Sequence, residues 1–461
     1  MSSVRLIDCL ATTAELAGIF SDGATLQAML DFESGLARAE ASLKIIPRSA
    51  AREISKSAKA EGFDLDTLCA AGLRAGTPAI PLVKALTARV RKSGAGAARF
   101  VHWGATSQDV TDTALVLLLK RAEQAIRRDL DELERALRRI SVSHARTVAL
   151  ARTLLQPAPP VTLGLRAAGW LGGVQRCNQR LRASFEDALV IQFGGASGTL
   201  AALGGRGIRV GKGLARELGL GYPDAPWHTH RGRLATLVCA CGVLTGELGK
   251  MARDISLLMQ YEIAEVAEPG GEDRGGSSTM PHKKNPIGCA LTIAAALRTP
   301  GLVGAYLSAM VQEHERATGG IQAEWPIVSE LVQATGLAVA SMKEVAEGLT
   351  VDAKRMKKNI EATRGLVFAE RAMMAMAPAM GREAAHEILE RAARQVTEQG
   401  RKLAEVLAGM PEVAGHLRSK ISQLETPQDY LGVAEEFRKS LLKDEFKRRS
   451  SGKTKRGRRK S

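Results

Sequence analysis

The segment GGSSTMPHKKNP, Gly275 to Pro286, concentrates residues that can do chemistry. Ser277, Ser278, Lys283 and Asn285 supply hydroxyls, a cation and an amide, His282 adds an imidazole, and the glycines and prolines loosen and then stiffen the backbone. A plain turn needs fewer donors, so the segment reads as a mobile catalytic loop. It is not a phosphate-cradling P-loop, because the spacing G-x-x-x-x-G-K is absent.

Three further segments carry polar residues at the ends of long apolar-periodic stretches. VHWGATSQDVTDT, Val101 to Thr113, has two readings. Ser107, Asp109 or Asp112 can cap a helix. Alternatively, His102, Thr106, Ser107 and Gln108 together can hold a carboxylate at a helix start, where free N–H groups attract anions. QFGGASGTLAALGGRG, Gln192 to Gly207, is a glycine-rich turn or a backbone laid close to a ligand; with no strand before it, a dinucleotide-binding reading is weak. QEHERATGGIQAEW, Gln312 to Trp325, taken alone reads as a solvated helix end carrying Glu313, Glu315 and Arg316.

These segments need rigid supports, and the sequence supplies them as long helices. Between Ala105 and Gln156 there is no Gly or Pro, and Leu115, Leu119, Ala122, Ile126, Leu130, Leu133, Leu137 and Ile140 recur at steps of three and four. About thirty helical residues span roughly 45 Å, so such a rod must lie against others. Pro160–Val190, His228–Glu268, Asn285–Arg316 (with a kink expected at Pro300) and Glu324–Leu349 read as four more. Between Leu115 and Leu349 no period-two stretch is long enough to suggest a sheet. The expected fold is all-α, with a central bundle of five long helices at 113–363, an N-terminal helical domain at 1–112, a C-terminal one at 364–445 and a basic tail at 446–461. Small residues on several rod faces predict an oligomer.

Composition narrows the classes. The chain has 461 residues, 45 % hydrophobic but only 4 % aromatic, which suits helices better than sheets. The N-terminus lacks the basic stretch and apolar core of a secretory signal, and no apolar run elsewhere reaches about 18 residues, so a cytoplasmic protein without a membrane partner is expected. Six scattered cysteines argue against a disulfide framework. Cys239 and Cys241 lie in the apolar run LATLVCACGVL and read as helix packing, so no metal and no cofactor is assigned. Net charge is +16, and Lys447–Ser461 holds nine of the positive charges. Nucleic-acid binding is nevertheless disfavoured, because nothing after Phe446 is apolar or aromatic and able to stack on bases.

GGSSTMPHKKNP resembles the signature loop G-S-S-x-M-P-x-K-x-N-P of the fumarase/aspartase superfamily, which includes argininosuccinate and adenylosuccinate lyases. VHWGATSQDVTDTAL, QFGGASGTLAALG, DISLLMQ and QEHERATGGIQAEW are similar to its carboxymuconate cycloisomerase branch, and the resemblance runs from the N-terminus to about Leu442. It implies a three-domain fold, a homotetramer with composite active sites, and a small tricarboxylate substrate. It also implies roles. Ser277 is the candidate proton carrier and Lys283 a second catalytic residue, paired with Asn285 in binding substrate. Thr106 and Ser107 match the carboxylate-binding region, and His102, Gln156, Ser278 and Arg316 complete the expected substrate contacts. Two departures stand out. Lyases acting on succinate derivatives often have a histidine in a T-H-x-Q-P-A segment, where TLLQPAPP has Leu154, and this argues against an adenylosuccinate lyase. Ile321 stands where a tryptophan is usual.

Overall fold

The computed structural model describes residues 6–271, 275–276, 279–280, 283–413, 420–421 and 423–443. Ser277, Ser278, His282 and the basic tail lie outside them. Five long helices dominate: Ser107–Ser143, Leu163–Ala188, Gly232–Leu258, Ile287–Ala309 and Gly320–Gly348. In the first, Leu119, Ala122, Ile126, Leu130, Leu133 and Leu137 are each no more than 2 % exposed, so the periodicity marks a buried stripe. At roughly 1.5–3 kcal/mol per buried leucine, this stripe is a principal source of the helix's stability. The fold is all-α apart from two two-stranded sheets among the described residues.

Residue contacts divide the chain into two compact units. One comprises 1–131, 176–250 and 290–342; the other comprises 132–175, 251–289 and 343–461. In the first unit, Ser21 caps helix Asp22–Ser42 by accepting the Ala24 N–H. That helix packs on Arg48–Ser57 and Gly207–Leu218, burying Leu30, Phe32 and Leu36 with Ile54, Leu82 and Leu214. In the second unit, Ala369–Met380, Arg382–Gln399 and Leu403–Gly409 enclose a separate core of Met376, Leu389, Val396 and Leu407.

Several helix limits differ from the sequence reading. The first long helix ends at Ser143, and the chain then forms an antiparallel hairpin, Val148–Thr153 paired with Gln156–Thr162, in a stretch where no sheet is expected. Pro157, Pro159 and Pro160 mask this strand, because proline cannot donate to a ladder and demotes any run that contains it. A register shift between Ala149 and Ala151 accommodates the mismatch. The connection Leu154-Leu155 has positive φ at both residues (51° and 65°), and its side chains are 97 % and 74 % exposed. The helix Ile287–Ala309 contains Pro300 and stops seven residues before Arg316, which therefore sits in a loop rather than on a helix end. Cys241 is buried within its helix, and burial pushes its thiol up to about 12, in keeping with the packing reading.

Candidate active site

The first unit brings four of the expected residues to one helix start. Thr106 precedes helix Ser107–Ser143 in the N-cap position, and Asp109, three residues on, accepts the Thr106 N–H at 3.1 Å, one half of a capping box. The Thr106 hydroxyl is thereby left for another partner: Arg316 Nη1 donates to it at 2.8 Å. Arg316 Nη2 donates to the carbonyls of Ala196 (2.9 Å) and Gly195 (3.2 Å), so the guanidinium ties the glycine-rich segment to the helix start. Its reading as a solvated helix-end charge is corrected: three long-range hydrogen bonds hold it, half-buried, beside Thr106 and Ser107.

Asp109 is the hub of this arrangement. Completely buried, it also accepts the N–H groups of Gly194 and Gly195, both at 2.9 Å, and His228 Nε2 donates to it at 2.8 Å. Gly194 has a steric reason: a Cβ there would lie 2.7 Å from His228 Cε1. Below it, Asp112 accepts both Nη atoms of the fully buried Arg231 at 2.9 Å and the side-chain amides of Gln108 and Gln192 at 3.1 Å. Arg231 Nη2 also lies 2.7 Å from Glu324 Oε1, an ion contact without hydrogen-bond alignment. Burial opposes the Arg231 charge, but Asp112 and Glu324 outweigh it and hold its pKa above the ordinary value. Sequence reasoning saw Asp109 and Asp112 only as possible caps and passed over Glu33, His228 and Arg231.

His102 stands beside this site with φ of 59°, a left-handed conformation uncommon for a side chain with a Cβ. Its Nδ1 lies 2.6 Å from Oε1 of Glu33, which is 1 % exposed. Burial lowers the imidazolium pKa, yet the charge of Glu33, its hydrogen bond and the charge of Asp109 together carry it above the usual value. Two turns along the same helix, Glu40 is fully buried with neither oxygen hydrogen-bonded, and burial followed by the charge of Glu33 pushes it up to about 9. Folded Glu40 thus keeps a proton that the unfolded chain releases above pH 4.5. Folding therefore loses about 1.4 kcal/mol per pH unit from there upward, about 3 kcal/mol by pH 7. Glu40→Gln should raise stability by about that amount at pH 7 and by almost nothing near pH 4.5. Urea midpoints measured from pH 4.5 to 8 would check this, and a gain independent of pH would show that Glu40 does not titrate.

The remaining expected residues that the structure describes, Lys283, Asn285 and Gln156, lie in the second unit. Asn285 donates its backbone N–H to Gly275 O at 2.9 Å and its side-chain amide contacts Gly276 O at 3.4 Å, closing the base of the signature loop. Gly275 has φ of 69°, and a Cβ there would meet Asn285 O at 2.7 Å, so only glycine fits. Lys283 is exposed. Gln156 is exposed at the first position of the hairpin's second strand. Within the acidic segment before the loop, Glu268 accepts the N–H groups of Gly288 and Cys289 (2.9 and 2.8 Å) and so caps helix Ile287–Ala309. Glu268 thus already places a carboxylate on that helix start, whereas the one at Ser107 is flanked by Arg316 and His102. Ile321 is buried at 6 % exposure.

A family profile described as lyase matches residues 10–301, and one described as the C-terminus of adenylosuccinate lyase matches 365–441. The chain belongs to the fumarase/aspartase lyase family. Among relatives of this chain, a 3-carboxy-cis,cis-muconate cycloisomerase of Bradyrhizobium diazoefficiens is 46 % identical over 95 % of this chain and 97 % of its own. Another of that name, from Pseudomonas aeruginosa, is 48 % identical over 93 % and 94 %. The crystal structure of the 3-carboxy-cis,cis-muconate lactonizing enzyme from Pseudomonas putida superposes with a TM-score of 0.89 at 44 % identity, covering 95 % of this chain and 98 % of that one.

Proposed function

We propose that this lyase-family protein is a cycloisomerase that lactonises 3-carboxy-cis,cis-muconate to γ-carboxymuconolactone in the breakdown of aromatic compounds through the β-ketoadipate route. The observation that carries this reading is near-full-length identity of 46 and 48 % to two cycloisomerases of that name. The chemistry agrees with the residues. A carboxylate oxygen of the substrate adds to a carbon–carbon double bond, and the electron pair of that bond takes up a proton at the carbon beside another carboxylate. That carboxylate carries extra negative charge in the transition state, where prearranged cations and N–H donors act most strongly. His102, Thr106, Ser107 and Arg316 form such a cluster, with Ser278, Lys283, Asn285 and Gln156 as further substrate contacts and Ser277 as proton carrier. Leu154 in place of a histidine suits a reaction whose attacking carboxylate belongs to the substrate.

The working form is read as a cytoplasmic homotetramer with composite sites and no cofactor, its subunits divided into domains at 1–112, 113–363 and 364–445. Helices Gly232–Leu258 and Ile287–Ala309 are long and apolar enough, by length and composition alone, to cross a membrane, but 50 % of the first one's most apolar stretch is buried. In the second only 28 % is buried, with Leu297 and Leu307 exposed, and contact with other copies accounts for such a face. All six cysteines are free thiols, as suits a reducing compartment.

The test is to mix purified protein with 3-carboxy-cis,cis-muconate and follow loss of diene absorbance, with adenylosuccinate and argininosuccinate as controls. Lactone should form, and neither control should release fumarate. Fumarate release at comparable efficiency would favour a lyase activity instead.

A further inference from the structure

We propose that Glu33 is a positioning residue of the site: its buried carboxylate, 2.6 Å from His102 Nδ1, holds His102 as an imidazolium that presents Nε2–H to a substrate carboxylate. The inference rests on the tricarboxylate reading above and adds the group that makes His102 cationic.

Glu33 lies on a helix face that otherwise buries Leu30, Phe32, Leu36 and Ala37, each no more than 2 % exposed. An acid at such a position costs stability unless it is paired, and Glu33 is only half satisfied: Oε1 takes the imidazole while Oε2 has no hydrogen-bond partner. Glu40 behind it shows how strongly this core resists a second charge, since it stays protonated through neutral pH. The one negative charge kept on this face is therefore the one aimed at His102. His102 also holds a left-handed backbone (φ 59°), a strained conformation that persists only where the surrounding structure imposes it. With Nδ1 committed to Glu33, Nε2–H is the only donor the ring retains. The charges that reach the ring are Glu33, from helix Asp22–Ser42, and Asp109, from helix Ser107–Ser143.

Both favour the imidazolium, so the sign of the pH dependence follows. His102 stays cationic to higher pH than an ordinary histidine, and anion affinity falls as pH rises through its pKa. Removing the Glu33 charge should move that fall to lower pH.

The experiment measures binding of propane-1,2,3-tricarboxylate by calorimetry from pH 5.5 to 9, together with KM and kcat for 3-carboxy-cis,cis-muconate. In Glu33→Gln the midpoint of the affinity loss should fall by about one pH unit or more. At pH 8, KM should rise about tenfold with a smaller change in kcat, and the deficit in binding should shrink as pH falls toward 5.5. Glu33→Asp should recover part of the shift. In His102→Gln the pH step should disappear, which identifies the titrating group, and the shift in Glu33→Asp tests the carboxylate even if Glu33→Gln does not fold. A Glu33→Gln profile that keeps its midpoint, or one weakened equally at every pH, would overturn the proposal, as would a step that survives in His102→Gln. The binding arm needs no turnover, so absence of lactonisation in the unsubstituted protein would count against the functional reading and leave the pairing of Glu33 with His102 to be judged on its own.

Discussion

Arg231→Met is expected to destabilise the protein by about 3–5 kcal/mol, the usual cost of removing one partner from a buried ion pair. The methionine keeps the volume and the contact with the Trp227 ring, over which the guanidinium stacks at 4.6 Å. What it removes is the one cation that, among the described residues, pairs with both buried carboxyls, Asp112 and Glu324, each at 0 % exposure. Burial already raises the Glu324 pKa, with Arg231 partly opposing the rise, so without the arginine that rise should grow and the loss of stability should be greatest at high pH. Arg231→Lys should recover little, because one ammonium cannot reproduce the two parallel bonds to Asp112 and also reach Glu324. Urea denaturation of both variants at pH 6 and pH 8 would check this. A methionine variant within about 1 kcal/mol of the parent at both values would mean that the network contributes little to stability.

Ser277→Ala is expected to lower kcat for lactonisation by about 10²–10⁴, the scale on which a positioned proton donor contributes. The assignment rests on the resemblance of the signature loop, since Ser277 lies outside the described residues. The neighbouring geometry is consistent with a loop held at its base: Asn285 bonds Gly275 at a point where no side chain fits. If the serine acts only in the transition state, kcat and kcat/KM should fall together. Lys283→Met should instead raise KM as well, because a cation facing a carboxylate already acts in the ground state. Near-normal turnover of Ser277→Ala at saturating substrate would remove the serine from the proton path and turn attention to His282 or Lys283.

Five helices and the signature loop were legible in the residue order because each is local, and the helix start was legible only to within a few residues: Ser107, Asp109 and Asp112 were the cap candidates, and Thr106 holds the N-cap position. A period of 3.6 shows over thirty residues, a loop signature over twelve, and a helix start over four. The hairpin at Val148–Thr162 was not legible, since its prolines suppress the strand signal and its tip carries leucines where asparagine and glycine are usual. The electrostatics of the site were hidden for another reason. Glu33 and His102 are 69 positions apart, Asp109 and His228 119, and Thr106 and Arg316 210. Read along the chain, each of these charges resembles a solvated face or a cap, because water is the default partner of an acid or a guanidinium. By itself, the sequence determined the kind of protein and marked out its signature loop. Only the tertiary structure decided which charges leave water and which partners they meet, because burial and pairing arise when distant segments exclude solvent together.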